Sequence, residues 1–185
     1  EFTPALMRLA SSGRVLYTMF KPEELMRQCS NEKLSVLQRT MTLNPWDGRL
    51  TRELEFVRHL QERAPGADVR DLSPIVWELR TIKSSAEIAI IRKAARIAVA
   101  ATVETMKATR VGMYEYELAA LYEYQVKQAG ANDLAYYMII SSGENHPYVH
   151  YYKHDRRLED GDILVVDVGP DYGYYDIDIT VTYPA

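Results

Sequence analysis

The last 25 residues, Gly161 to Ala185, constrain this chain most. Ile163-Leu164-Val165-Val166 is an unbroken apolar run of strand length, which predicts a strand buried on both faces. Asp167 follows it directly, and a carboxylate so placed carries a heavy desolvation cost unless something positive meets it. Gly169, Pro170, Asp171 and Gly173 form a cluster of turn formers. Tyr174–Thr182 then returns as a β-branched strand that carries Asp176 and Asp178. With Tyr172-Gly173 as a two-residue turn, Asp167 and Asp178 stand directly opposite on one face, with Cβ atoms about 4.5–5.5 Å apart. Like charges opposed in this way destabilise a sheet unless a cation lies between them. Two such carboxylates can hold divalent ions, which sit roughly 3.5–4 Å apart in two-metal enzymes. The opposition depends on loop length, since a bulge or a longer turn changes the register.

The residues upstream bound what such a site can use. Cys29 is the only cysteine, so an intramolecular disulfide and a cysteine-based zinc site are both excluded. Any metal must be held by Asp, Glu and the four histidines, and a reducing, cytoplasmic compartment fits. A net charge of −4 with interspersed signs provides no basic stripe for nucleic acid. No apolar run approaches the roughly 20 residues that span a bilayer. At 185 residues, 47% of them apolar, the chain is long enough for one medium domain or parts of two.

The remaining pattern is α/β. Val15–Phe20 and Ala67–Leu72 read as strands. A helical region from about Lys33 to Glu62 is broken by Asn44-Pro45 and Asp47-Gly48, and Ser73-Pro74 opens a short helix. Ser84-x-x-Glu87 is a capping box, and Ile88, Ile91, Ala95 and Ala98 keep helical spacing behind it to about Lys107. A second helix, about Tyr114 to Ala129, places Leu118, Leu121 and Tyr122 on one face and ends at Gly130. Strands follow at Tyr136–Ile140, Ile163–Asp167 and about Tyr174–Tyr183. The composition shift near Arg80–Ser84 predicts a boundary between a domain over 1–80 and another over 81–185. Asp171 and Asp176 read as solvated turn and strand residues. Asp176-x-Asp178 also resembles the Asp-x-Asp motif of sugar-nucleotide transferases, but no phosphate site accompanies it. The 14 tyrosines, several adjacent, suit either an aromatic cleft or interface, or ordinary packing.

Six segments in order carry a family resemblance: Glu78–Ile88, Ser142-Gly-Glu-Asn145, His150-Tyr151, Gly161-Asp162, Asp167-Val-Gly169 and Asp178-Ile-Thr180. His150 lies 17 residues before Asp167, and Asp178 lies 11 after it. In these the chain resembles the pita-bread metallopeptidases, in the aminopeptidase P and Xaa-Pro dipeptidase (prolidase) branch. The resemblance covers about residues 78–185. Residues 1–77 are similar, less specifically, to the end of the creatinase-like amino-terminal domain of these enzymes.

The resemblance implies a fold and a chemistry. The fold is the C-terminal part of that amino-terminal domain followed by the first half of a pita-bread catalytic domain. Asp167 would bind one metal bidentately and Asp178 would bridge two divalent ions, most commonly manganese, with cobalt or zinc possible. The ions would activate a water to hydrolyse the bond before proline in Xaa-Pro peptides. Hard oxygen ligands suit that choice of metal. His150 would bind substrate and stabilise the reacting carbonyl, whereas His146 and His154 match no family role. Family members are commonly homodimers. They also need one His and two Glu on strands after this hairpin, so the chain reads as a fragment that is inactive by itself. Val181 stands where many relatives have Arg, and Asp176 where uncharged residues are usual. A metal-free relative acting as a binding module is the competing reading, and the aspartate pair disfavours it. Methionine aminopeptidase shares the aspartate gap, but the simplest of these lack a preceding domain. The choice between aminopeptidase P and prolidase stays open.

Overall fold

The computed structural model describes residues 2–20, 39, 43–46 and 48–185. Cys29 and residues 33–38 of the expected helical region lie outside them. The chain forms two compact units, Glu1–Ile82 and Lys83–Ala185. Both mix helices and strands, as expected of an α/β chain. No described helix is long and apolar enough to cross a membrane.

The first unit contains helix α1 (Phe2–Ala10), strand β1 (Leu16–Thr18), helix α2 (Arg52–Arg63), strand β2 (Val69–Asp71) and helix α3 (Ser73–Thr81). β1 and β2 pair in parallel, Tyr17 against Arg70. α2 starts where Thr51 Oγ1 accepts from Leu54 N at 3.3 Å, which satisfies one of the orphan N–H groups of a helix start. Ahead of it, Asn44 Oδ1 accepts from Trp46 N at 2.8 Å, the local bond by which Asn favours a turn. Asp71 Oδ1 accepts from Ser73 N and, at 3.1 Å, from Phe20 N, tying both strand ends to the start of α3. Ala10, Leu60 and Ala64 form the centre of the small core between α1, α2 and the two strands.

The second unit begins with the helix that the capping box announces. α4 (Ser85–Ala108) starts with Ser84 N donating to Glu87 Oε2 at 2.6 Å and Glu87 N donating to Ser84 Oγ at 3.3 Å. Its inner face is Ala94, Ile97, Ala98, Ala101, Thr102 and Thr105, while Ile88 is exposed. The buried stripe is therefore rotated from the Ile88-Ile91-Ala95-Ala98 spacing. Threonine can take part because its hydroxyl finds a partner inside the helix: Thr102 donates to Ala98 O and Thr105 to Ala101 O. α5 (Glu115–Gln128) buries Leu118 and Tyr122 as expected. It ends with Gly130 at φ 92°, where Gly130 N donates to Lys127 O and Ala131 N to Val126 O, the Schellman pattern that glycine permits.

Strands β3 (Asp133–Leu134), β4 (Ile139–Ser142), β5 (Ile163–Val168), β6 (Pro170–Tyr172), β7 (Tyr175–Asp176) and β8 (Ile179–Pro184) form two three-stranded sheets, ordered β4-β5-β8 and β3-β6-β7. The expected Tyr136–Ile140 strand is thus split, with Tyr136 in a bend between β3 and β4. Leu164, Val166 and Val168 of β5 are fully buried with Leu118, Tyr122 and Ile140. Ile163, Val165 and Asp167 remain partly or wholly accessible. The apolar run is buried on one face, not both, because the open face is the one that presents the carboxylate.

The hairpin register also differs from the expected one. Asp167 pairs with Thr180 and Val168 with Ile179, while Asp171 pairs with Asp176. The tight turn is Gly173-Tyr174, both with positive φ (61° and 66°), as the hairpin turn that matches strand twist requires. Asp171 Oδ1 accepts from Tyr174 N at 3.0 Å and steadies the non-glycine residue there. Moving the turn by one residue moves the partner by two, so Asp178 falls across from Gly169 instead of Asp167. Both registers put the same side chains on the same face, so apolar alternation could not distinguish them. Close packing decides: a Cβ on Gly169 would lie 1.5 Å from Ile177 O. On its other side the hairpin rests on the small residues of α4, with Ile177 against Ala94 and Ala98.

Two predictions follow from this packing. Gly169→Ala forces the hairpin apart and should lower stability in urea by about 3 kcal/mol or more; a variant that unfolds like the parent would mean Gly169 is not pinned. The Glu87 carboxyl is lowered to about 2, first by the Tyr175 hydroxyl and then by Ser84 N–H and Oγ–H. Its folded pKa lies below its unfolded one, so its contribution is present above the ordinary carboxylate range and lost as pH falls toward 2. Tyr175→Phe should raise the Glu87 midpoint in an NMR carboxyl titration, and an unmoved midpoint would remove the hydroxyl from the account.

Candidate functional site

Three side chains from three separate parts of the second unit meet at one point. Asp167 stands near the end of β5 on its open face, and Asp178 sits in the break between β7 and β8. Tyr136 reaches them from the bend after β3. Its hydroxyl oxygen lies 2.7 Å from Asp167 Oδ1 and 3.0 Å from Asp178 Oδ1. A phenol has one proton and can donate it to only one of these oxygens at a time. Burial first, then the hydrogen bond and charge of Asp167 and those of Asp178, push the Tyr136 hydroxyl far above the ordinary tyrosine range. It therefore keeps its proton at any physiological pH.

The arrangement turns two carboxylates toward a common point from opposite strands of a hairpin. It achieves this although the two residues are not directly opposed: continuing the register, each lies diagonal to the other on the same face. Carboxylate and phenol oxygens are hard donors of the kind that hold magnesium, calcium or manganese. The donor set fits a divalent cation at the position that the Tyr136 hydroxyl now mediates. It is not a complete cage, since among the described residues no group of three or more His, Cys, Asp or Glu comes together. Tyr136 was not singled out by its sequence. A tyrosine in a bend carries no local pattern, and its partners lie 31 and 42 residues away.

His150 is elsewhere in the same unit. It is exposed, takes a positive φ of 59° and lines an open cleft of about 410 Å³ with Tyr148, Tyr151, Tyr152 and Lys153. Among the described contacts none joins it to Asp167, Asp178 or Tyr136. The other two histidines of this loop serve its packing: His154 Nε2 lies 3.0 Å from Met138 O and His146 Nε2 3.2 Å from Ser141 O. Burial lowers the His154 pKa and so favours the neutral ring. Asp171 and Asp176 face each other near the hairpin tip, where burial and then the Asp171 charge raise the Asp176 carboxyl. The tyrosines are found both inside and outside the core. Tyr122, Tyr151 and Tyr183 are buried, while Tyr148, Tyr152 and Tyr174 are exposed.

Removing the Tyr136 proton while keeping the ring tests whether it holds the carboxylates together. In a chelating buffer Tyr136→Phe should lose about 1.5–3 kcal/mol of stability in urea, the range for a hydrogen bond to a charged acceptor. Equal midpoints for the two proteins would show that the carboxylates do not need it.

With this geometry in view, comparison with known proteins is informative. Residues 89–185 match the sequence profile of metallopeptidase family M24. The Xaa-Pro dipeptidase of Pyrococcus furiosus is 34% identical over 152 residues, 82% of this chain and 43% of the relative. The Xaa-Pro aminopeptidase of Escherichia coli is 37% identical over 118 residues, 64% of this chain and 27% of the relative. The chain thus spans less than half the length of either. Among solved structures, proline aminopeptidase P II from Yersinia pestis superimposes with a TM-score of 0.69 at 29% identity, covering 98% of this chain and 37% of that one. By its match from residue 89, within α4, through the end of the hairpin, the chain belongs to metallopeptidase family M24.

Proposed function

We propose that the protein carrying this chain hydrolyses the peptide bond before proline in Xaa-Pro peptides, with Asp167 and Asp178 as two of its metal ligands. The observation that carries this is the convergence of both carboxylates on the Tyr136 hydroxyl. Two acids held together on an open sheet face, with a hydroxyl instead of an arginine or lysine between them, are arranged for a cation. The names of the Pyrococcus and Escherichia relatives support the peptide class.

In this reading Asp167 and Asp178 would help hold a pair of divalent ions, manganese first, with cobalt or zinc as alternatives. Such ions, when bound, lower the pKa of a water and so supply a nucleophile at neutral pH. The family resemblance implies three further ligands for such a site, one His and two Glu, and no described residue joins the two aspartates in that role. Tyr136 keeps the two carboxylates aligned. His150 binds substrate beside the scissile carbonyl, and the tyrosine-lined cleft next to it takes part of the peptide. Residues 1–80 belong to an amino-terminal domain and 81–185 to the first half of the catalytic domain. The protein acts as a homodimer in the cytoplasm. A metal-free binding module would have no use for acids kept in this arrangement.

The full-length protein should cleave an Xaa-Pro dipeptide or a longer Xaa-Pro peptide when manganese is supplied, and stop when the metal is chelated. Asp178→Asn should lower kcat/KM by at least about 1000-fold. No cleavage of either substrate with metal present would defeat the proposal, and the preferred peptide length separates an aminopeptidase from a dipeptidase.

A further inference from the structure

Glu115, the first residue of α5, is fully buried, and among the described residues no Lys, Arg or His side chain is bonded to its carboxylate. Backbone and side-chain donors from one loop satisfy it instead. Oε1 accepts from Ser142 N and Ser142 Oγ, both at 2.7 Å, and from Asn145 Nδ2 at 3.3 Å. Oε2 accepts from Tyr151 OH at 2.9 Å and from Arg156 N at 3.3 Å. These donors mark the beginning, middle and end of the segment from β4 to Arg156. Its far end is held again where Glu115 N donates to Arg156 O and Tyr116 N to His154 O. The Arg156 guanidinium closes the ring by donating to Ser142 Oγ at 3.0 Å and by pairing with Asp162.

His150 lies inside that ring and directly precedes Tyr151. It is itself exposed and has a left-handed backbone, as has His154. Non-glycine residues hold that conformation only where the surroundings over-determine it. Here two neighbours tied to Glu115, Asn145 and Tyr151, line the same cleft as His150. The Ser142-Gly-Glu-Asn145 segment, noted for its resemblance, is explained in the same way, since Ser142 and Asn145 both donate to this carboxylate.

We propose that Glu115 is a positioning residue that sets where the His150 imidazole stands, by fixing the 142–156 loop to the start of α5. The proposal rests on the reading of His150 as a substrate-binding group, and the test separates the two. Glu115→Gln keeps the shape but turns an N–H₂ toward donors that need an acceptor. Tyr151→Phe, which removes the hydroxyl that meets Glu115 and Asp155 beside His150, serves if the first variant does not fold. Two readouts apply to the full-length protein. In ¹⁵N-histidine spectra the His150 signals, assigned by their loss in His150→Ala, should shift in either variant, and unmoved signals overturn the proposal. In Xaa-Pro cleavage, Glu115→Gln should cost about 10- to 100-fold in kcat/KM, as small misplacements of a working group do. The same change in a His150→Ala background should cost less than about 2-fold. An equal cost in both backgrounds means Glu115 acts on general structure and overturns the proposal. If His150→Ala cleaves as well as the parent, the reading of His150 fails, and the spectra alone decide whether Glu115 positions it.

Discussion

Two carboxylates cannot be held side by side unless something protic or positive stands between them, and the second unit is organised around that constraint. The Tyr136 hydroxyl meets both Asp167 and Asp178. For it to do so, β5 must present Asp167 on its open face, and the returning strand must break where Asp178 sits. The bend after β3 must also bring Tyr136 across. Each requirement is met by packing on the other side. Leu164, Val166 and Val168 anchor β5 to the helices, and the alanines of α4 let Ile177 come close enough to fix the hairpin tip. Gly169 makes room for the opposite backbone. The core thus sets the geometry of a pair that, by its charge alone, would separate.

Much of this is legible in one dimension. The Ser84-x-x-Glu87 box, the Gly130 stop and the β5 apolar run are local patterns with local causes, and the elements form where those patterns fall. The two aspartates and their shared face could be read because strand alternation fixes faces. Register was not legible to the same degree. A shift of two residues leaves every face unchanged, and the choice rests on a backbone contact at Gly169 that no pattern announces. The expected spacing on α4 gives only part of the buried face: Ala98 is buried and Ile91 and Ala95 pack beside it, whereas Ile88 is exposed and Ala94, Ile97, Ala101, Thr102 and Thr105 complete the face.

Tyr136 and Glu115 show what composition hides. Each acts through partners 27 or more residues away, so neither stands out locally. Glu115 even reads as an ordinary acid in the first turn of a helix, where the dipole favours it. Its burial reveals a second use, because a buried carboxylate must find donors and five atoms of one loop provide them. The aspartates form one cluster with Tyr136. The loop tied to Glu115 carries the exposed His150 and the aromatic cleft beside it.

The central claim is that Asp167 and Asp178 are metal ligands. A manganese titration of the full-length protein, followed by the electron paramagnetic resonance signal of the free ion, addresses it without requiring any substrate. Asp167→Asn and Asp178→Asn should each weaken manganese binding by more than about 10-fold. Parent-like binding in both variants would contradict the account.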